Sequence, residues 1–368
     1  MSKRVIVSGG GTGGHIFPAI AIANAVKGQW PDAEILFVGA NGRMEMKRVP
    51  EAGFAIRGID CYSLRRDLTF GGLWENLKLP FRLLAEKGAA RQIVREFKPD
   101  IAIGVGGYVS WPVLDAAARM GVPTLIQEQN SFPGKTNKML ASRAVKICTA
   151  YDHLERFFPK EKTVKTGNPV RRDIIDMPSD HSAAYAYFDL NPQKFTVSVV
   201  GGSLGARTIN DSVRGFIDDL RDLDVQFVWQ TGESYYNSYK EMVAGLPNMR
   251  MMPFVKRMDY LYQVSNLIVS RAGALSISEL CIVGKPCILI PSPNVAEDHQ
   301  TKNARVLSDA GAAVLLADAD ARSQLKYQIW ELVENRQQCE SMSRNIRQFA
   351  LPHATENILD EIIHIIGA

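Results

Sequence analysis

His15 stands directly after a run of glycines, Gly9-Gly10-Gly11-Thr12-Gly13-Gly14, and opens a helical pattern through Ile16, Ala19, Ile20, Ala23 and Val26. A helix start carries unpaired backbone N–H groups and the positive end of the helix dipole. It therefore disfavours imidazolium and keeps a histidine neutral near pH 7, able to accept a proton. Glycines at the same place let the backbone approach a phosphate closely. General-base catalysis and anion binding are the chemistries this pattern offers. The plainer reading is a histidine whose ring ties the loop to a neighbouring strand. The run also satisfies G-x-G-x-x-G at Gly9, Gly11 and Gly14. A dinucleotide site then needs an acidic residue after the next strand to hold the ribose, but residues 35–38 lead into Gly39-Ala40-Asn41. NAD or FAD is not expected.

A second set lies at residues 267–291, where an apolar run breaks into Ser270-Arg271-Ala272-Gly273, a helical pattern follows, and a further apolar run begins at Cys287. The helix start offers N–H groups to an anion, and Glu279, one turn in, could accept hydrogen bonds from a sugar hydroxyl. Ser276-x-x-Glu279 also fits a capping box, in which the glutamate only satisfies a backbone N–H. Phe254-Val255 could cap a base or ribose, and His299 and Gln300, in a polar loop after a strand, could bond sugar hydroxyls. Asp318-Ala319-Asp320 matches the D-x-D that can hold a metal on a diphosphate, although an Asp-rich turn is the commoner meaning. No His/Cys cluster has metal spacing, and neither a nucleophile elbow nor a Walker loop is present. No metal and no cofactor are expected.

The elements that must position these residues alternate strand and helix, which predicts doubly wound parallel sheets. Residues 5–8, 100–104 and 124–127 read as strands ending in glycine or polar loops. After Thr166-Gly167-Asn168-Pro169-Val170-Arg171 the pattern weakens, then restarts at residues 196–200 with Gly201-Gly202-Ser203-Leu204-Gly205. Two similar α/β halves follow, as expected for 368 residues at about 100–200 residues per domain. The last helix, residues 354–366, has one apolar face.

Composition is ordinary for a soluble globular protein, at 46% hydrophobic and 22% charged, and a net charge of +4 is too mild to argue nucleic acid. Five cysteines without a C-x-x-C pair suggest incidental thiols in a reduced cytoplasmic protein. The apolar run at residues 5–7 is far too short for a signal peptide, and no stretch approaches the ~18 apolar residues of a membrane span. Residues 70–95 differ. Leu73, Trp74, Leu77, Leu79, Phe81, Leu83 and Leu84 lie beside Lys78, Arg82, Lys87, Arg91 and Arg95, the makeup of an interfacial helix on anionic lipid. The alternative is an amphipathic helix facing the core.

Six motifs occur in one order along the chain. They are Gly10-Gly11-Thr12-Gly13-Gly14-His15, Gly106-Gly107-Tyr108-Val109-Ser110, Gln127-Glu128-Gln129-Asn130, Gly167-Asn168-Pro169-Val170-Arg171, Gly201-Gly202-Ser203-x-Gly205-Ala206-Arg207 and Ser270-Arg271-x-Gly273-Ala274-Leu275-x-x-x-Glu279. Together they resemble the MurG family, within glycosyltransferase family 28. These bacterial enzymes add N-acetylglucosamine (GlcNAc) from UDP-GlcNAc to undecaprenyl-diphosphoryl-MurNAc-pentapeptide (lipid I), making lipid II for peptidoglycan. The resemblance implies a GT-B fold, two Rossmann-like doubly wound parallel-sheet lobes with a cleft between them. It implies an acceptor and membrane-side lobe over residues 1–166, a UDP-GlcNAc lobe over 167–349, and a C-terminal helix, 350–368, returning to the first lobe. It further implies metal-independent inverting transfer, peripheral attachment to the inner face of the cytoplasmic membrane, and partners among cell-wall synthesis and division proteins.

By the same resemblance, Thr12, Gly13 and Gly14 reach the diphosphate region, while Asn130, Arg171, Ser203 and Val255 contact the donor. Ala274, Leu275, Ser276, Ile277, Ser278 and Glu279 hold diphosphate and ribose, and Gln300 holds the sugar. His15 is the expected base, with Glu128 as the alternative, and Trp74, Leu79, Phe81 and Leu84 form the membrane patch. The chain departs from the family at Gln127, often His there, and at His299, where the family has the first of a Gln pair. Rival readings are a UDP-GlcNAc 2-epimerase of the same fold, a two-lobed solute-binding protein and an oxidoreductase.

Overall fold

The computed structural model describes residues 2–61, 70–202, 204–220 and 224–367, with side chains except those of residues 70–81 and Ala296. The chain forms two compact units, Met1–Pro169 with His353–Ala368, and Val170–Pro352.

The strands of the first unit are β1 (Arg4–Ser8), β2 (Glu34–Ala40), β3 (Ala55–Ile59), β4 (Ile101–Gly104), β5 (Thr124–Glu128), β6 (Lys146–Thr149) and β7 (Thr163–Lys165). They pair in parallel in the order β3-β2-β1-β4-β5-β6-β7. Alternate strand residues enter different cores because side chains alternate across a pleat. Val5, Val7, Phe37, Ile101 and Ile103 pack on one face, and Ile6, Val38, Ala102 and Ile126 on the other. Both faces are buried, which is why these strands read as continuous apolar runs. The C-terminal helix, Ala354–Ile366, belongs to this unit. Its Ile358 and Ile362 pack with Ile16, Ala19, Ile22 and Val26 of the helix Gly13–Gln29. A Lys146–Glu361 ion pair at 3.1 Å joins the same helix to β6.

The second unit repeats the plan with β8 (Phe195–Val200), β9 (Val225–Gln230), β10 (Met249–Met252), β11 (Leu267–Ser270), β12 (Cys287–Leu289) and β13 (Val314–Leu315), in the parallel order β10-β9-β8-β11-β12-β13. In each sheet the chain winds outward from a central strand, then returns to wind the other way. The reversal falls between β1 and β4 in one unit and between β8 and β11 in the other. Loops at the carboxyl ends of such a strand pair splay apart and leave a crevice, where ligands bind in open α/β sheets. Those loops are 9–14 with 105–109, and 201–206 with 271–273.

Among the described residues no helix is long and apolar enough to cross a membrane. The five cysteines are unbridged, and all but Cys61 are buried.

Candidate active site

In the first unit the glycine loop is fixed from below by a carboxylate that sequence reasoning passed over. Glu45, fully buried, accepts the N–H of Gly11 through Oε2 (3.0 Å) and that of Ala40 through Oε1 (3.0 Å). A Cβ on Gly10 would fall 2.1 Å from Glu45 Oε1, so only glycine lets the loop lie this close. Ser110 Oγ donates to Ser8 O (2.8 Å) and is within 2.7 Å of Gly106 O, clamping the second loop to the end of β1. Thr12 is the extended N-cap residue of the helix Gly13–Gln29 without a side-chain cap. Its carbonyl accepts from His15 and Ile16, which leaves the first N–H groups of a long helix facing outward at Gly13 and Gly14.

His15 is half-buried, and its Nδ1 lies 3.2 Å from Gln129 Oε1. The ring therefore does tie the loop to the end of β5. Glu128 is buried and saturated. Its Oε1 accepts from Asn130 N (3.0 Å) and Asn130 Nδ2 (3.1 Å), and its Oε2 from Gly134 N (3.1 Å) and Asn137 Nδ2 (2.8 Å). This carboxylate orders the loop that carries Asn130.

In the second unit the helix Ala274–Val283 begins after Gly273, again with no side-chain cap. The capping-box reading of Ser276 and Glu279 is therefore corrected. Ser276 lies inside the helix, and Glu279 accepts instead from Tyr262 Oη at 2.7 Å. The local pattern fitted a cap, but the helix begins before Ser276, at Ala274, with Gly273 as its extended N-cap residue. Burial raises the Glu279 carboxyl above the ordinary range, while the Tyr262 hydroxyl and then Arg171 pull it back. Burial also pushes the Tyr262 phenol well up, reinforced by the Glu279 charge. Arg171 is exposed and 3.6 Å from Asp173.

Ala274, Leu275 and Ser276 are partly exposed at the helix start. Ile277 turns into the core, its N–H bonded to Gly273 O, and Ser278 Oγ donates to Ala274 O (3.1 Å). Arg271 braces the turn by donating to Ile290 O and Pro291 O (both 3.1 Å) and by pairing with Asp318. Asp318 also accepts from Thr208 Oγ1 at 2.9 Å. The first carboxylate of the D-x-D thus serves as a brace between loops.

Gly205 has φ +79°, and a Cβ there would meet Thr231 O at 2.1 Å, so this loop packs backbone to backbone on the turn after β9. Val255 buries its side chain, whereas Phe254 beside it is 45% exposed. Glu297 and Asp298 both have positive φ just before the helix His299–Ser308. Strain of this kind in non-glycine residues is held only by surrounding structure and gathers at functional sites. Gln300 Oε1 accepts from Ser292 N at 2.8 Å, which aims its amide nitrogen away from that bond.

Ser203 lies outside the described residues, as do the side chains of Trp74, Leu79 and Phe81. The helix Phe70–Phe97 buries Glu86, Ala90, Ile93 and Val94, while Leu84 is 65% exposed. Its later half is a core-facing helix, and Leu84 points away from that core.

Each unit is thus a doubly wound, Rossmann-like lobe with glycine loops at its own switch point, and the sequence comparisons agree with that class. The family 28 glycosyltransferase N-terminal domain matches residues 5–149 and the C-terminal domain residues 196–358. The chain belongs to glycosyltransferase family 28.

A relative from Cytophaga hutchinsonii, named UDP-N-acetylglucosamine--N-acetylmuramyl-(pentapeptide) pyrophosphoryl-undecaprenol N-acetylglucosamine transferase, is 51% identical over 99% of this chain and 97% of its own length. A relative of the same name from Parabacteroides distasonis is 52% identical, with 99% and 98% covered. The crystal structure of Acinetobacter baumannii MurG matches with a TM-score of 0.79 and 29% identity over 98% of this chain and 99% of that one. A UDP-GlcNAc 2-epimerase from Neisseria meningitidis, bound to UDP-GlcNAc, matches at TM-score 0.66 but only 12% identity, over 99% and 100% of the two chains. That likeness is one of fold.

Proposed function

We propose that this protein transfers GlcNAc from UDP-GlcNAc to the C4 hydroxyl of MurNAc in lipid I, with inversion, to make lipid II. The carrying observation is identity of about half the residues over nearly the whole chain with transferases of that name. In the reaction the C4 oxygen attacks C1 of GlcNAc, the bond from C1 to the phosphate oxygen breaks, and UDP leaves with the electron pair. An inverting displacement needs a base for the hydroxyl proton and positive charge for the leaving diphosphate.

His15 is the base. Glu128 already holds four donors, and withdrawing it would unfasten its own loop. The uncapped N–H groups at Ala274, Leu275 and Ser276, together with Arg171, receive the diphosphate, so the leaving group is stabilised without a metal. Glu279 accepts from the ribose hydroxyls, and Tyr262 orients it. Val255 and Phe254 meet the uracil, Gln300 and His299 the GlcNAc hydroxyls, and Asn130 and Ser203 the donor sugar and phosphate. Thr12, Gly13 and Gly14 offer a second anion-binding helix start. The protein acts on the inner face of the cytoplasmic membrane, resting on anionic lipid through the early turns of the helix Phe70–Phe97 and Leu84. Protein partners belong to cell-wall synthesis and division.

Incubation with UDP-GlcNAc alone separates this reading from the epimerase. No UDP-ManNAc should form, and its appearance would overturn the assignment.

A further inference from the structure

Three buried amides behind His15 form one directed chain. Gln129 Nε2 donates to Val105 O (2.7 Å), to Gln127 O (3.2 Å) and to Gln127 Oε1. Gln127 Nε2 donates to Asn168 Oδ1 (2.9 Å), and Asn168 Nδ2 donates to Gln129 O (3.1 Å). All three residues are at most 2% exposed. The orientation of Gln129 follows from chemistry. Val105 O and Gln127 O are backbone carbonyls that can only accept, so the nitrogen of the Gln129 amide must face them. Its oxygen is then the atom that faces His15 Nδ1 at 3.2 Å. An amide oxygen can only accept, so Nδ1 must carry the proton.

We infer that Gln129 is a positioning residue for the transfer reaction, holding His15 as the Nδ1–H tautomer so that Nε2 carries the lone pair that takes the acceptor proton. The inference rests on His15 being the base. The amides polarise one another head to tail, and none of them titrates, so nothing in the chain can take the proton from Nδ1. Among the described residues, the charged groups on surrounding elements include Glu45, committed to Gly11 and Ala40, and Glu128, committed to Asn130, Gly134 and Asn137. Tyr108, on the loop after β4, has its phenol pushed up to about 12, by burial first and then by the Glu86 charge, and stays neutral. Gln129 thus fixes the proton on Nδ1 of His15.

The test reads the tautomer directly. In protein labelled with 15N-histidine, two-bond proton–nitrogen correlations identify which ring nitrogen is protonated, and His15→Gln assigns the signal among the six histidines. The wild type should show His15 as Nδ1–H, and a dominant Nε2–H form would overturn the proposal without any further variant. Gln129→Leu should mix the tautomers and lower kcat by roughly tenfold or more, with the KM for UDP-GlcNAc little changed. Unmixed tautomers would overturn the role of Gln129. Mixed tautomers with unchanged kcat would instead remove His15 as base, and Gln129's catalytic role with it. Gln129→Glu conserves the shape and places a carboxylate against Nδ1. It should raise the His15 pKa and shift the acidic limb of kcat/KM upward by about one pH unit. An unmoved limb would contradict the proposal.

Discussion

At the scale of the residue, the account turns on two side chains whose environments set their protonation. His15→Ala should lower kcat by about a hundredfold or more, the range of general-base catalysis, while calorimetric affinity for UDP-GlcNAc stays within a few-fold. A near wild-type kcat would remove His15 from the mechanism. Glu279 likewise acts in its deprotonated form, since the carboxylate is the stronger acceptor for ribose hydroxyls. Burial holds its carboxyl above the ordinary range, so protonation begins at a higher pH than for an exposed glutamate. Donor affinity should weaken as pH falls through that raised range, and Glu279→Gln should flatten this dependence while weakening binding about tenfold. A variant that kept the wild-type pH profile would show that another group titrates.

His15 and Glu279 were legible in the sequence because each sits at a fixed offset from a glycine turn. Their partners were not. Tyr262 meets Glu279 across 17 positions, Gln129 meets His15 across 114, and Glu45 reaches Gly11 across 34. Such pairings depend on which strands become neighbours, which periodicity does not encode.

At the scale of the element, strand runs and the loops after them could be read because both faces of a parallel sheet are buried and glycines punctuate the carboxyl ends. Helix starts were less legible. Ser276-x-x-Glu279 has the spacing of a cap, yet the helix begins at Ala274, after Gly273, with no side-chain cap. The helix Phe70–Phe97 is core-facing over its later turns. Its later half buries Ala90, Ile93 and Val94, while Leu84 stays exposed. Replacing Leu79, Phe81 and Leu84 with serine should weaken sedimentation with anionic vesicles several-fold and leave UDP-GlcNAc binding unchanged. Unaltered vesicle binding would return the whole segment to the core.

At the scale of the molecule, two similar α/β halves followed from one strand-and-glycine pattern occurring twice, the GT-B class and the return of the last helix to the first unit followed from the family resemblance, and the strand order required the fold. The chain crosses between units at Pro169 and again after Pro352, three residues beyond each expected boundary. The final helix completes the first core, where Ile362 is fully buried. Ile362→Ala should cost about 2–5 kcal/mol, seen as a lower urea midpoint of the first unit. A loss below about 0.5 kcal/mol would mean that this helix is not part of the cooperative core.

The central claim is a metal-independent transfer of GlcNAc onto a lipid-linked acceptor. The most direct measurement is incubation of the protein with radiolabelled UDP-GlcNAc and a lipid I analogue in millimolar EDTA, followed by extraction of the lipid product. The account predicts label in the lipid fraction at the rate seen without chelator. No labelled lipid while UDP-GlcNAc still binds would contradict the assigned reaction, and label that EDTA abolishes would contradict a leaving group held by helix start and arginine alone.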